Sequence, residues 1–188
     1  MNVIRRFTPV QRALHWLMAI AILAMLFIGI GMVSTIEPVY VTLVSIHKPL
    51  GILILALALL RLALRLRFGA PALPTDMPEA MKLAAHLSHV AFYLLMVALP
   101  LIGWAMLSAA DYPVYVFGVR LPALLAPSNE AHMLLWNAHR TLALCFFALI
   151  LLHFAAGLFH ALVRRDGVFE AMSLAPGETS PIDIERPL

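Results

Sequence analysis

The chain has 188 residues, 63% of them hydrophobic and only 12% charged, and its mean hydropathy is +0.94. Soluble domains carry about 25% charged residues, so a water-soluble globular protein is excluded. The excess of 13 Lys and Arg over 10 Asp and Glu would point a soluble chain toward nucleic acid. Here the apolar excess makes the lipid bilayer the partner and nucleic acid is not expected. A single cysteine, Cys145, rules out an intramolecular disulfide and a CxxC redox or metal motif. The first apolar run lacks a small-residue cleavage site, so it is expected to stay in the protein rather than be removed as a signal peptide.

About 20 apolar residues of helix cross a bilayer core. In chain order, four stretches are long enough: residues 13–33, 38–60 (interrupted only by Lys48), 83–110 and 141–163. They are apolar all round, without the alternation of barrel strands, so helices must satisfy the backbone in lipid. The predicted fold is all-α, a four-transmembrane-helix bundle. Thr8 followed by Pro9 reads as an N-cap with proline at the first helical position, starting helix 1 a turn before its charge-free run.

Proline-rich residues 70–79 predict an extended connector between helices 2 and 3. The longer stretch 111–140 contains three prolines and then SNEAHMLLWNAHR, which reads as an interfacial segment with His132 exposed in a loop. Residues 8–165 form the membrane domain. Residues 166–188 have too little apolar patterning to pack and read as a mobile tail.

Ten basic residues (Arg5, Arg6, Arg12, Arg61, Arg65, Arg67, Lys82, Arg164, Arg165 and Arg186) fall on the side of the termini, against Lys48, Arg120 and Arg140 on the other. The positive-inside rule then places both termini in the cytoplasm.

Ionisable residues within membrane spans are functional candidates, and this chain has eight histidines. His139 and His153 are 14 residues apart on helix 4, so their rings share one face about 21 Å apart along the axis. One metal centre cannot use both, whereas two stacked centres can. His47 precedes Lys48 as His139 precedes Arg140, which puts them at matching depth and able to face each other. His15 lies near the inner end of helix 1, level with His153. His160, seven residues further on, presents nearly the same face and remains an alternative partner. With no cysteine or intramembrane carboxylate to help, haem iron held by two imidazoles is the most economical occupant. Any one membrane histidine is more commonly a helix–helix hydrogen bonder; the level-matched set is what argues for ligation. His86 and His89, near the inner end of helix 3, read as spare ligands, interface residues or polar contacts for a quinone head group.

The stretches RALHWLMA, SIHKPLGILIL followed by RLALRLR, AAHLSHVAFYLLMVALPLIGW, and NAHRTLA followed by LLHFAAGLFH resemble the bacterial cytochrome b561 family. The closest likeness is to its small four-helix diheme members, the superoxide oxidases. That resemblance runs from about residue 8 to 165. It implies two haem b groups with His15, His47, His139 and His153 as axial ligands, and ubiquinone near His86, His89 and His160. It also implies oxidation of periplasmic superoxide to dioxygen, an anion that Lys48, Arg120 and Arg140 would attract. The expected location is the bacterial inner membrane. Two alternatives fit the same residues: a non-catalytic haem-b anchor serving a respiratory dehydrogenase or hydrogenase partner subunit, and a haem-free proton or metal transporter.

Overall fold

The computed structural model describes residues 6–35, 38–116 and 118–175. Four long helices dominate: α1 (Pro9–Ser34), α2 (Val39–Phe68), α3 (Glu79–Ala109) and α4 (Asn129–Phe159). Each is long and apolar enough to cross a membrane.

The start of α1 follows from its first residues. Thr8 Oγ1 accepts from the Gln11 backbone N–H at 3.3 Å, and Gln11 Oε1 accepts from the Thr8 N–H at 3.1 Å. This reciprocal capping box, with Pro9 needing no partner for an N–H it lacks, sets the helix entry. The Gln11 amide is buried and also donates to the Gly69 carbonyl at 3.1 Å, which ties the start of α1 to the end of α2. Gly69, at φ 71°, ends α2 by donating its N–H to Arg65 O at 2.9 Å, a left-handed position that favours glycine.

α1 packs on α2, α3 on α4, and α2 also meets α3. A thin core of Leu14, Met18, Ala58, Met96, Leu99 and Phe146 lies at the middle of the bundle. At most 17% of any span is buried, so the large apolar side chains mostly point outward, as expected where lipid rather than water is the solvent.

Three expectations need correction. α2 runs on through Arg61, Arg65 and Arg67 instead of ending before them, because arginine is a good helix former and its long stem lets the charge reach the surface. α4 begins at Asn129, capped by Ser128 Oγ accepting from Ala131 N–H at 3.3 Å. The stretch read as interfacial is therefore its first three turns. His132 accordingly is helical and half-buried, its Nδ1 donating to Met106 O at 3.0 Å.

Between α3 and α4 lies a two-stranded antiparallel hairpin, β1 (Tyr115–Val116) and β2 (Val119–Arg120). It is fastened back onto α3: Trp104 Nε1 donates to Pro122 O at 3.0 Å, and Ser108 Oγ accepts from Leu124 N–H at 3.0 Å.

The third correction concerns the tail. Residues 166–175 are held against the start of α1 instead of hanging free. The Trp16 indole donates to Met172 O (3.0 Å), Arg12 to Ser173 O (2.7 Å), Arg6 to Ser173 O and Ala175 O (3.0 and 2.8 Å), and Ala171 is buried. Side-chain donors capping main-chain carbonyls hold this segment, a signal that apolar patterning does not carry. Residues 176–188, with Arg186 among them, and Arg5 lie outside the described residues.

Candidate functional site

Antiparallel traversal puts the start of α1, the end of α2, the start of α3 and the end of α4 at one end of the bundle, here the termini end. The end of α1, the start of α2 and the β hairpin lie at the other, the hairpin end. His15 of α1 and His153 of α4 meet toward the termini end with ring centroids 6.2 Å apart and planes 77° apart. His47 of α2 and His139 of α4 meet toward the hairpin end, also at 6.2 Å, with planes 66° apart.

His139 Nδ1 lies 3.1 Å from Leu99 O. A carbonyl only accepts, so Nδ1 carries the proton and Nε2 keeps its lone pair. Gly103, one turn on from Leu99, makes room for the ring: a Cβ there would sit 3.2 Å from His139 Cε1. Across from it, His47 Nδ1 is buried with no hydrogen-bond partner. Such an orphan is costly unless a further group satisfies it.

At the termini end the cluster holds a third ring. His89 of α3 is also 6.2 Å from His153, and its Nδ1 lies 2.6 Å from Ala85 O. Ring separation alone thus does not choose between His15 and His89 as the companion of His153. His86 is exposed.

His160 is buried and turned away from this cluster. Its Nδ1 lies 2.8 Å from Asp166 Oδ2, and Arg164 bridges Asp166 (2.7 Å) to Asp76 (2.9 Å) of the α2–α3 connector. A π-helical turn, His160–Arg164, re-aims the chain end to make this possible. Burial of Asp166 would raise its pKa, but hydrogen bonds from Arg164, His160 and the Val168 N–H outweigh that and hold the carboxyl below its ordinary value.

Phe146 lies on α4 midway in sequence between His139 and His153. It packs edge-on against Phe92 at 5.8 Å, and Phe92 in turn lies 5.0 Å from His153. An apolar layer therefore separates the two histidine pairs.

Lys48 and Arg140 follow the paired histidines at the hairpin end, and Arg120 is exposed on β2. Among the described residues none of the three forms an ion pair.

Gly103, Phe92 and Phe146 were not singled out in the sequence. Only the glycine inside the otherwise bulky run LPLIGW offered a signal. A Cβ at Gly51 or Gly157 would make only ordinary contact, with Met25 or with Phe169.

An apolar four-helix bundle with imidazoles paired between its helices has the build of a membrane cytochrome. The chain belongs to the prokaryotic cytochrome b561 family, whose profile matches residues 6–173. It is similar to cytochrome b561 homolog 1 of Escherichia coli strain K12 (28% identical, covering 89% of this chain and 96% of the relative). It is likewise similar to cytochrome b561 homolog 2 of the same organism (30%, covering 91% and 93%). A probable superoxide oxidase CybB of Yersinia pestis is 34% identical over 68% of this chain and 72% of its own length. The protein is thus a multi-pass bacterial membrane protein for electron transfer, of a family that binds haem b.

The donor set fits that cofactor. Two imidazoles that each bind a shared metal through one nitrogen at about 2 Å have centroids about 6 Å apart, as His47 and His139 do, and as His153 does with both His15 and His89. The orphaned His47 Nδ1 and the Nδ1-protonated His139 are further marks of rings with a nitrogen to offer.

Proposed function

We propose that the chain is a superoxide:ubiquinone oxidoreductase of the bacterial inner membrane with both termini in the cytoplasm. His15 with His153, and His47 with His139, would hold two haem b groups. The observation that carries this reading is the pair of 6.2 Å imidazole separations at the two ends of the bundle, each joining different helices. Similarity to the probable superoxide oxidase of Yersinia pestis supports the substrate.

Haem b would supply a one-electron carrier when bound. The chain's own residues do the rest. Lys48, Arg120 and Arg140 give the hairpin end a positive field that draws a small anion. Leu99, Phe92 and Phe146 keep water out of the middle of the bundle. His160, held by Asp166, and His86 and His89 supply polar contacts for a ubiquinone head group at the termini end.

Two superoxide anions release two electrons and leave as two dioxygen molecules. One ubiquinone takes those electrons with two protons from the cytoplasmic side to become ubiquinol.

The test is purification of the tagged chain from its membrane, a reduced-minus-oxidised visible spectrum, and ubiquinone reduction driven by a superoxide source. A red preparation that reduces ubiquinone at a rate set by superoxide is expected. A colourless preparation overturns the reading. A red one inactive toward superoxide that co-purifies with a soluble dehydrogenase or hydrogenase makes the chain a haem-bearing anchor.

A further inference from the structure

Arg61 and Arg65 stand one turn apart on α2, at the termini end, and in each the guanidinium Nη1 is buried with no hydrogen-bond partner. Arginine stays charged in a protein, and a buried cationic donor without an acceptor is strongly disfavoured. Two on one helix face make a demand for an anionic acceptor that is built into the fold.

Neighbouring groups do not fill it. Among the described residues neither arginine has an ion-pair partner. Asp166 serves Arg164 and His160, Asp76 serves Arg164, and Glu79 serves Lys82. Arg65 rests its Cζ 5.5 Å over the Phe7 ring, which supports the guanidinium face but leaves Nη1 free. Arg61 has the Tyr93 hydroxyl as a hydrogen-bond partner, which still leaves its Nη1 unpaired, and it interacts electrostatically with His15, His89 and His153. The missing acceptor therefore belongs next to the histidine cluster of the termini end.

Planar forked donors pair best with carboxylates or phosphates. We propose that Arg61 and Arg65 bind the two propionate carboxylates of the haem b at the His15–His153 site, orienting it about the axis that the two rings define. This rests on the proposed ligation above. Arg12, whose Nε is also unpartnered, already spends Nη1 on Ser173 O and is not part of the pair.

The test is a spectroelectrochemical titration of the full-length, haem-loaded protein and of R61Q/R65Q, with haem loss to apomyoglobin followed in parallel. One of two redox waves is expected to move to lower potential in the variant, because removing cations beside a redox centre disfavours electron gain. Haem at that site should be lost severalfold faster, while the other wave stays in place and certifies the fold. Both waves unmoved, or both moved equally, overturns the proposal. Should the double variant fail to accumulate, R61K serves: faster haem loss at one site supports the fork geometry, and an unchanged rate overturns it. The titrations are repeated in nanodiscs of neutral and of anionic lipid. The same variant effect in both is expected, whereas an effect confined to anionic lipid would make a lipid phosphate the occupant and sink the proposal. A wild-type preparation without haem would instead defeat the ligation reading, so the two failures are distinct.

Discussion

Gly103 of α3 lies so close beneath His139 of α4 that a Cβ at position 103 would approach the imidazole Cε1 to 3.2 Å. Helix α3 thereby touches the ring on two sides, since Leu99 O accepts its Nδ1 proton. A glycine inside a helix costs about 0.5–1 kcal/mol relative to alanine, so replacing it should favour α3 itself. G103A is therefore expected to leave thermal stability unchanged or slightly raised while shifting the spectrum and potential of one haem. G103V, with more to displace, should lose that haem. Pyridine haemochrome assay beside thermal denaturation separates the two effects.

Single substitution of the paired histidines should halve the cofactor. H47A and H139A are expected to lose or perturb one haem, and H15A and H153A the other. H160A should retain both, because His160 faces Asp166 and not the ring cluster. Two intact haems in all four ligand variants would remove the assignment. H89A discriminates further: loss of the termini-end haem there, with retention in H15A, would make His89 the companion of His153.

Phe146 is 5% exposed at the centre of a thin core. Truncating a buried phenylalanine costs about 3–5 kcal/mol in water-soluble proteins. Within lipid mainly the packing part is lost, so F146A should destabilise by about 3 kcal/mol or less, read as a lower melting temperature. Its neighbour Phe92 should show coupling with it in a double-mutant cycle.

The hydrogen-bonded carboxyl of Asp166 makes the tail clamp pH-dependent with a definite sign. Its folded pKa lies below the ordinary value of 3.8, so its stabilising contribution is fully present above that value and is lost as pH falls through the lower folded value. Amide protection at Ala171, Met172 and Ser173 should hold through mild acid and collapse only below the ordinary carboxylate range. D166N should lower it severalfold at neutral pH. Hydrogen exchange read by mass spectrometry reports both.

If the hairpin end draws superoxide by charge, K48Q, R120Q and R140Q should each lower the second-order rate with superoxide, and salt should blunt the wild-type rate more than that of the triple variant. Rates measured across a range of ionic strengths check this. A salt-independent wild-type rate would dismiss those residues from the reaction.

Much of the architecture was legible from residue type alone. Thr8, Pro9 and Gln11 announce a helix start through short-range hydrogen bonding, and four long apolar runs in lipid leave the backbone no alternative to helix. Helix ends were less readable. Arg61, Arg65 and Arg140 look like boundaries in a charge count, yet each lies inside a helix, because stem length and capping decide termination and charge does not. The tail was misjudged for a related reason: its anchors are carbonyls, which every residue has, met by donors about 160 positions away.

Sequence by itself determined the membrane bundle and the fourteen-residue histidine repeat, since helical periodicity and the cost of an unpaired backbone in hydrocarbon are local constraints. Only the tertiary structure decided which rings face each other. It turned His160 aside to Asp166, brought His89 as near to His153 as His15 is, and left Arg61 and Arg65 without an acceptor. Those outcomes depend on the rotation and separation of packed helices, which are fixed by contacts between residues far apart in the chain and so are not written in any one segment of it.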